Sequence, residues 1–203
     1  MPPKCLISLY AALFAVALAS SVRGQVRPAP NPARPIRKAS DLIRRQEPVK
    51  IDQSLLKEIM PDNVRLVVSL PKQRAYLMIG DQVVIDSPIA SGKRGHSTPS
   101  GQMRVLEKEP NHYSSLYGDF VDGSGRVVRA GVSARIDAAP SGTHFVGAPM
   151  KRFMRLTQDG VGMHVGILPG YPASHGCIRM PADGAKLFYD KVKVGTPVAV
   201  GDY

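Results

Sequence analysis

"MHVGILPGYPASHGCIRMP", residues 163–181, holds one of only two cysteines in a chain of 203 residues. The other, Cys5, lies in an N-terminal apolar run that reads as a segment removed on export. Loss of that run leaves Cys177 without an intramolecular partner. Exported proteins usually pair their cysteines. A leftover one therefore suggests intermolecular pairing or a reactive thiol. The plain alternative is a buried cysteine acting as a small hydrophobe.

A thiol nucleophile needs a base to hold the thiolate, donors for an oxyanion, and access. His164 falls on an expected strand, 13 residues before Cys177, and His175 is two residues away. Gly176 lets a substrate approach the backbone closely. A sharp loop through Gly176 and Cys177 would point two N–H groups at a developing oxyanion. A helix expected just beyond Cys177 would lower the thiol pKa through its N-terminal dipole.

Outward from this stretch the pattern is mostly β. Val64, Leu66, Val68 and Leu70 recur with a period of two. "RAYLMI" and "QVVIDSPI" flank Gly80-Asp81, a two-residue hairpin signal. "ASGKRGHSTPSG" reads as a long loop, and "QMRVLEKE" as a strand. Residues 110–143 read as polar and turn-rich, with "DGSG" at 122–125 a hairpin tip. "THFVG", "KRFMRL" and "VGMHVGI" read as three further strands, and "TPVAV" as a last one. One clear helix is expected, "PADGAKLFYDKV", with Pro181 in its first turn and Ala185, Phe188 and Val192 on one face. "DQSLLKEIM", residues 52–60, is expected as a second, short helix stopped by Pro61.

The N-terminus divides into three parts. Met1–Lys4 is positive, and Cys5–Ala19 is almost wholly apolar but, at 15 residues, short for a membrane span. Residues 1–24 are thus read as a signal peptide, cleaved after Ala19 or Gly24; the alternative is an uncleaved anchor. Residues 25–50 are read as a linker, beginning "QVRPAPNPARPIRK" with four prolines and four basic residues. Residues 51–203 then form the folded domain. The net charge of +11 suits an anionic wall polymer or membrane surface; nucleic acid is the poorest candidate for an exported chain.

The stretch around Cys177 resembles the signature of the L,D-transpeptidases, the YkuD-type catalytic domain of bacterial cell-wall enzymes. That signature has a His on a strand (here His164), a variable loop, then Ser-His-Gly-Cys-Ile-Arg (here Ser174 to Arg179). "RAYLMIGDQVVIDSPIASGKRGHSTPSGQMRV" is similar to the family's opening strands and its Thr-Pro-x-Gly segment, here Thr98, Pro99 and Gly101. The resemblance covers about residues 62–201. The chain departs from the pattern in having Val165, not Gly, after the first His, and a nine-residue loop from His164 to Ser174. Both bear on the shape of the cleft.

The resemblance implies a β sandwich or open barrel with one or two short helices and the cysteine on a loop before a helix. It implies attack by Cys177 on a peptidoglycan stem tetrapeptide, at the carbonyl joining the L-centre of a diamino acid to the terminal D-Ala. A thioester forms, D-Ala leaves, and an amine takes the acyl group to give a 3→3 crosslink or an anchored protein. His164 is then the base, and Gly176 and Cys177 supply N–H groups. Ser174 fixes the loop. His175 shapes the oxyanion pocket or touches substrate, unless it merely packs in the core. Arg179 holds a stem carboxylate or braces the loop, and Tyr171 lines the cleft. His96, His112 and His144 are read as ordinary polar or packing residues. No cofactor or metal is implied, and a monomer acting in the periplasm or cell envelope is expected. Three alternatives stay open: hydrolysis of the same thioester, a zinc centre of His164, His175 and Cys177, and a non-catalytic wall-binding protein.

Overall fold

The computed structural model describes residues 46–203. The signal peptide and the linker up to residue 45 lie outside them. The strands are β1 (Lys50–Ile51), β2 (Val64–Ser69), β3 (Arg74–Ile79), β4 (Gln82–Pro88), β5 (Gly101–Arg104), β6 (Glu107–Asp122), β7 (Val127–Ser133), β8 (Thr143–Arg155), β9 (Gly162–Val165), β10 (Ile178–Met180) and β11 (Pro197–Gly201). The helix α1 is Ala182–Lys191. The expected mostly β fold is what the chain adopts.

Six strands form one sheet in the order β1-β4-β3-β2-β11-β5, and five form another in the order β10-β9-β8-β6-β7. The alternating valines and leucines of β2 explain its place inside the first sheet. Val64, Leu66 and Val68 are buried, and their core also takes Met154 and Met163 from the second sheet and Ala185 and Phe188 from α1. Burying such side chains contributes about 1.5–3 kcal/mol each, so this shared core fixes the two sheets against one another.

Several expectations are corrected. Residues 52–60 make only a single 3₁₀ turn, Leu55–Lys57. Asp52 accepts bonds from the Ser54 and Leu55 N–H groups, which stabilises a turn, and no residue of the turn is buried. Residues 46–50, read as linker, belong to the domain. Lys50 pairs with Asp86 in the sheet, the Gln46 amide donates to Ile89 O, and Arg74 donates to Glu47 O. "QMRVLEKE" is broken at Val105-Leu106, where both N–H groups leave the strand ladder for Thr196 O and Arg155 O. "THFVG" and "KRFMRL" are one strand, β8, which runs through Pro149. Residues 110–143 are largely strand, because β6 is 16 residues long and pairs with both β7 and β8.

The β6–β8 ribbon carries the irregularity that matters for the site. Its register shifts between Tyr113, opposite Pro149, and Gly118, opposite Gly147. Residues 114–117 therefore bulge out against Ala148 alone. The bulge is wound on Ser114, whose Oγ accepts from the N–H groups of Leu116 and Tyr117. It exists because Gly118 and Gly147 lack side chains: a Cβ on either would stand 2.0 Å from a carbonyl oxygen across the ribbon.

Candidate active site

Cys177 ends a loop held by the segment that follows β4. The Ala173 and Ser174 N–H groups donate to Ser91 O, and the Lys93 N–H donates to Ser174 O. Thr98 joins the two segments: its hydroxyl donates to Gly176 O (2.7 Å) and accepts from the Gly92 N–H (2.8 Å). Ser174 is 1% exposed, and its hydroxyl donates to Cys177 O and accepts from the Gly176 N–H. These two bonds tie the loop to itself across Ser174. Gly176 has φ +123°, a region that side chains resist.

Beyond Cys177 the chain enters β10, which runs parallel to β9 with Arg179 opposite His164. β10 lies between Cys177 and the helix, which opens only at Ala182. The helix dipole is therefore not applied directly to the thiol, since its effect falls off within a turn. Burial pushes the Cys177 thiol above its ordinary 9.0, against the Gly162 N–H and the Arg179 and Arg155 charges, which favour the thiolate. This reverses the lowered thiol pKa expected from the sequence. The thiol itself points toward Gly160 O, at 3.8 Å.

His164 is 8% exposed. Burial lowers its pKa from 6.5 to about 4, with help from the charges of Arg179 and His112. It is neutral at pH 7. Nδ1 lies 2.8 Å from Val165 O, so Nδ1 carries the proton and Nε2 has the lone pair. Every sealed side-chain N or O among the described residues has a partner. Nε2 has none there, so it opens onto the cavity. That is the tautomer a proton acceptor needs.

The cavity has a volume of about 520 Å³, and its wall includes His164, Ser174, His175, Cys177 and Arg179. The bulge Ser114–Tyr117 is a second wall. Tyr117 stacks on His175, with ring centroids 4.3 Å apart, and both line the cavity. His175 is exposed at the rim rather than packed in the core, between Tyr117 and the edge of His96. The Lys93 ammonium lies 3.1 Å from His175 Nε2. Partial burial, followed by the Lys93, His96 and Arg179 charges, holds the His175 pKa below its usual value.

Arg179 has two attachments. Its backbone exchanges hydrogen bonds with Ala90, and its stem lies where a side chain on Gly166 would stand, 2.8 Å from Cγ. Its guanidinium has no hydrogen bond or ion pair among the described residues, and Arg179 lines the cavity. The backbone braces the loop and the charge is left unspent. The Gly176 N–H is committed to Ser174, so of the two donors expected for an oxyanion only the Cys177 N–H is free among the described residues. Tyr171 is exposed and is not part of the cavity wall. Among the described residues no three His, Cys, Asp or Glu side chains converge as metal ligands, so His164, His175 and Cys177 do not form the zinc arrangement.

Among the cavity residues that the sequence did not point to are Tyr117, Arg155 and His112. Tyr117 and Arg155 lie in stretches that carry no functional signal, and His112 reads as an ordinary polar or packing residue. His112 does pack, stacked on Phe153 at 4.2 Å, but it also lines the cavity. The Gly118 and Gly147 pair was the available signal for the bulge.

Two sheets sharing a core, with a neutral imidazole on one strand and a thiol on the loop that leads into the strand parallel to it, define a cysteine-centred cleft on a β domain. The L,D-transpeptidase catalytic domain (YkuD) family model matches residues 63–200, and the chain belongs to that family. Among solved structures, an L,D-transpeptidase from Mycobacterium smegmatis is 24% identical, with TM-score 0.52, over 68% of this chain and 58% of that one. An LD transpeptidase in complex with imipenem is 22% identical, with TM-score 0.51, over 68% and 58%. An L,D-transpeptidase from Xylanimonas cellulosilytica is 20% identical, with TM-score 0.50, over 68% and 60%. The matches thus span less than two thirds of those chains, and at these identities they show a shared fold. Comparison with curated protein sequences gives no match.

Proposed function

We propose that this chain is a cysteine-dependent L,D-transpeptidase acting on peptidoglycan stem peptides. The observation that carries the reading is one cavity lined by a thiol, a neutral histidine with its lone pair exposed, and an unpaired guanidinium. With both Cys177 and His164 neutral at rest, the thiol proton leaves Gly160 O for Nε2 of His164 as sulfur attacks the carbonyl on the L-centre. The Cys177 N–H stabilises the oxyanion. His164 then protonates the departing nitrogen of D-Ala, and a thioester remains. An amine takes the acyl group, because thioesters are readily aminolysed. Arg179 suits the carboxylate of the leaving D-Ala, by a charge-assisted contact.

The proposal extends to export. Residues 1–24 act as a signal peptide, the basic segment after them rests on an anionic wall or membrane surface, and the domain works as a monomer in the cell envelope. No helix among the described residues is long and apolar enough to cross a membrane.

Mass spectrometry of the intact protein with a stem tetrapeptide and an amine acceptor tests the proposal. The expected result is an acyl adduct on Cys177, release of D-Ala, a transfer product, and none of these in Cys177→Ala. A pentapeptide donor should fail. Its carboxylate is displaced by one residue, roughly 3.5 Å, from Arg179. Imipenem, bound by a solved relative, should acylate the same thiol. Release of the free acid alone would make the enzyme a hydrolase. The absence of any adduct would leave a non-catalytic member of the fold.

A further inference from the structure

Three imidazoles line the cavity, and His112 is one that acylation does not use. His112 lies on β6, 20% exposed at its side chain, and lines the cavity. Its Nδ1 is 2.8 Å from the carboxylate of Glu109. A carboxylate only accepts, so the proton sits on Nδ1 and Nε2 is turned away from Glu109. Nε2 has no partner among the described residues. His112 and His164 flank one ring, Phe153, whose centroid is 4.2 Å from the first imidazole and 6.5 Å from the second.

The chemistry of transfer, which rests on the function proposed above, creates a need for such a group. In acylation the thiol proton goes to the leaving amine, and the proton count closes with His164 alone. Transfer to an alkyl amine is different, because near pH 7 the amine arrives as an ammonium. An R–NH₃⁺ group that ends as R–NH–CO– loses two protons. The C–N bond forms, the C–S bond breaks, one proton returns to sulfur through His164, and one has to leave the site. His164 is only 8% exposed, and burial disfavours its cation. His112 is partly exposed, oriented by a carboxylate, and able to pass a proton to solvent.

We propose that His112, held by Glu109, is a second general base that takes the surplus proton from the acceptor ammonium. Acylation then uses His164 alone, and transfer uses both histidines. Hydrolysis needs no such base, because water arrives without the extra proton, so the pair biases the thioester toward amines. The charged groups around His112 include Glu109 and Glu107 on β6 and Arg155 on β8, which pairs with Glu107; the titratable but neutral His164 on β9 lies near it too.

The test forms the acyl-enzyme with a stem tetrapeptide and divides it between two small amines. Methylamine is an ammonium at neutral pH and hydroxylamine is already a free base. Product ratios are read by mass spectrometry for wild type, His112→Gln and Glu109→Gln. The expected result is a methylamine-to-hydroxylamine product ratio lower by at least about tenfold in His112→Gln. A smaller fall is expected in Glu109→Gln, which keeps the imidazole but not its orientation. Raising the pH should restore the methylamine product in both. The acyl-enzyme itself reports folding and a working His164 in each variant. Ratios equal to wild type in both variants would overturn the role of His112 while leaving the transpeptidase reading intact. Failure of the wild type to acylate would overturn both.

Discussion

Replacing His164 by Gln should change how stability responds to acid by an amount that burial sets. In the folded chain the imidazole pKa is about 4, against an ordinary 6.5, because burial disfavours the cation. Above pH 6.5 both folded and unfolded chains hold a neutral His164, and its titration contributes nothing. Between pH 6.5 and 4 the unfolded chain binds a proton that the folded chain refuses. Stability therefore falls as pH falls through this window. Below about pH 4 both forms carry the proton and the loss is complete. The gap corresponds to about 3 kcal/mol. Carboxylates also titrate here, so the informative quantity is the difference between wild type and His164→Gln. Urea unfolding at a series of pH values should give a difference that is constant above pH 6.5 and moves by about 3 kcal/mol, in favour of the variant, by pH 4. Acylation by wild type should fall along the same limb, with its midpoint near 4 rather than 6.5. A difference that stays flat across the window would refute the claim that His164 is held neutral by burial.

Two other outcomes follow from the site. Native protein lacking residues 1–24 should take one equivalent of iodoacetamide on Cys177, at a rate that rises steadily above pH 7, since burial raises the thiol pKa; a plateau across neutral pH would show a resting thiolate instead. Thr98→Val should destabilise the fold by about 1–3 kcal/mol and slow acylation, because it removes the bridge between the Gly92 N–H and Gly176 O; thermal unfolding and adduct kinetics would measure the two effects.

The loop that carries the thiol and the strand that carries His164 were legible because they depend on local patterns. Cys177, Ser174 and His164 lie in one short stretch, and β2 declares itself by alternation. The cleft's other wall was not legible. His112, Tyr117 and Arg155 reach the cavity through the β6–β8 register, which pairs residues up to 48 positions apart. Long, half-exposed strands such as β6 alternate poorly, since both faces see water, and Pro149 reads as a breaker although its neighbour Ala148 merely faces a bulge. The oxyanion donors were miscounted for a related reason: a loop's N–H groups are available only after its own side chains have been satisfied, and Ser174 claims one of them. The direction of the thiol pKa failed similarly, because a three-residue strand separates Cys177 from α1.

The position of β11 has a consequence for how this chain comes into being. Pro197–Gly201 lies between β2 and β5, parallel to the first and antiparallel to the second. Until that segment is synthesised, β5 has no neighbour in the first sheet. The strand that joins β5 to β2 is the last of the described strands to be made, so the sheet, and the core it shares with the second sheet, closes only when the rest of the domain is already present.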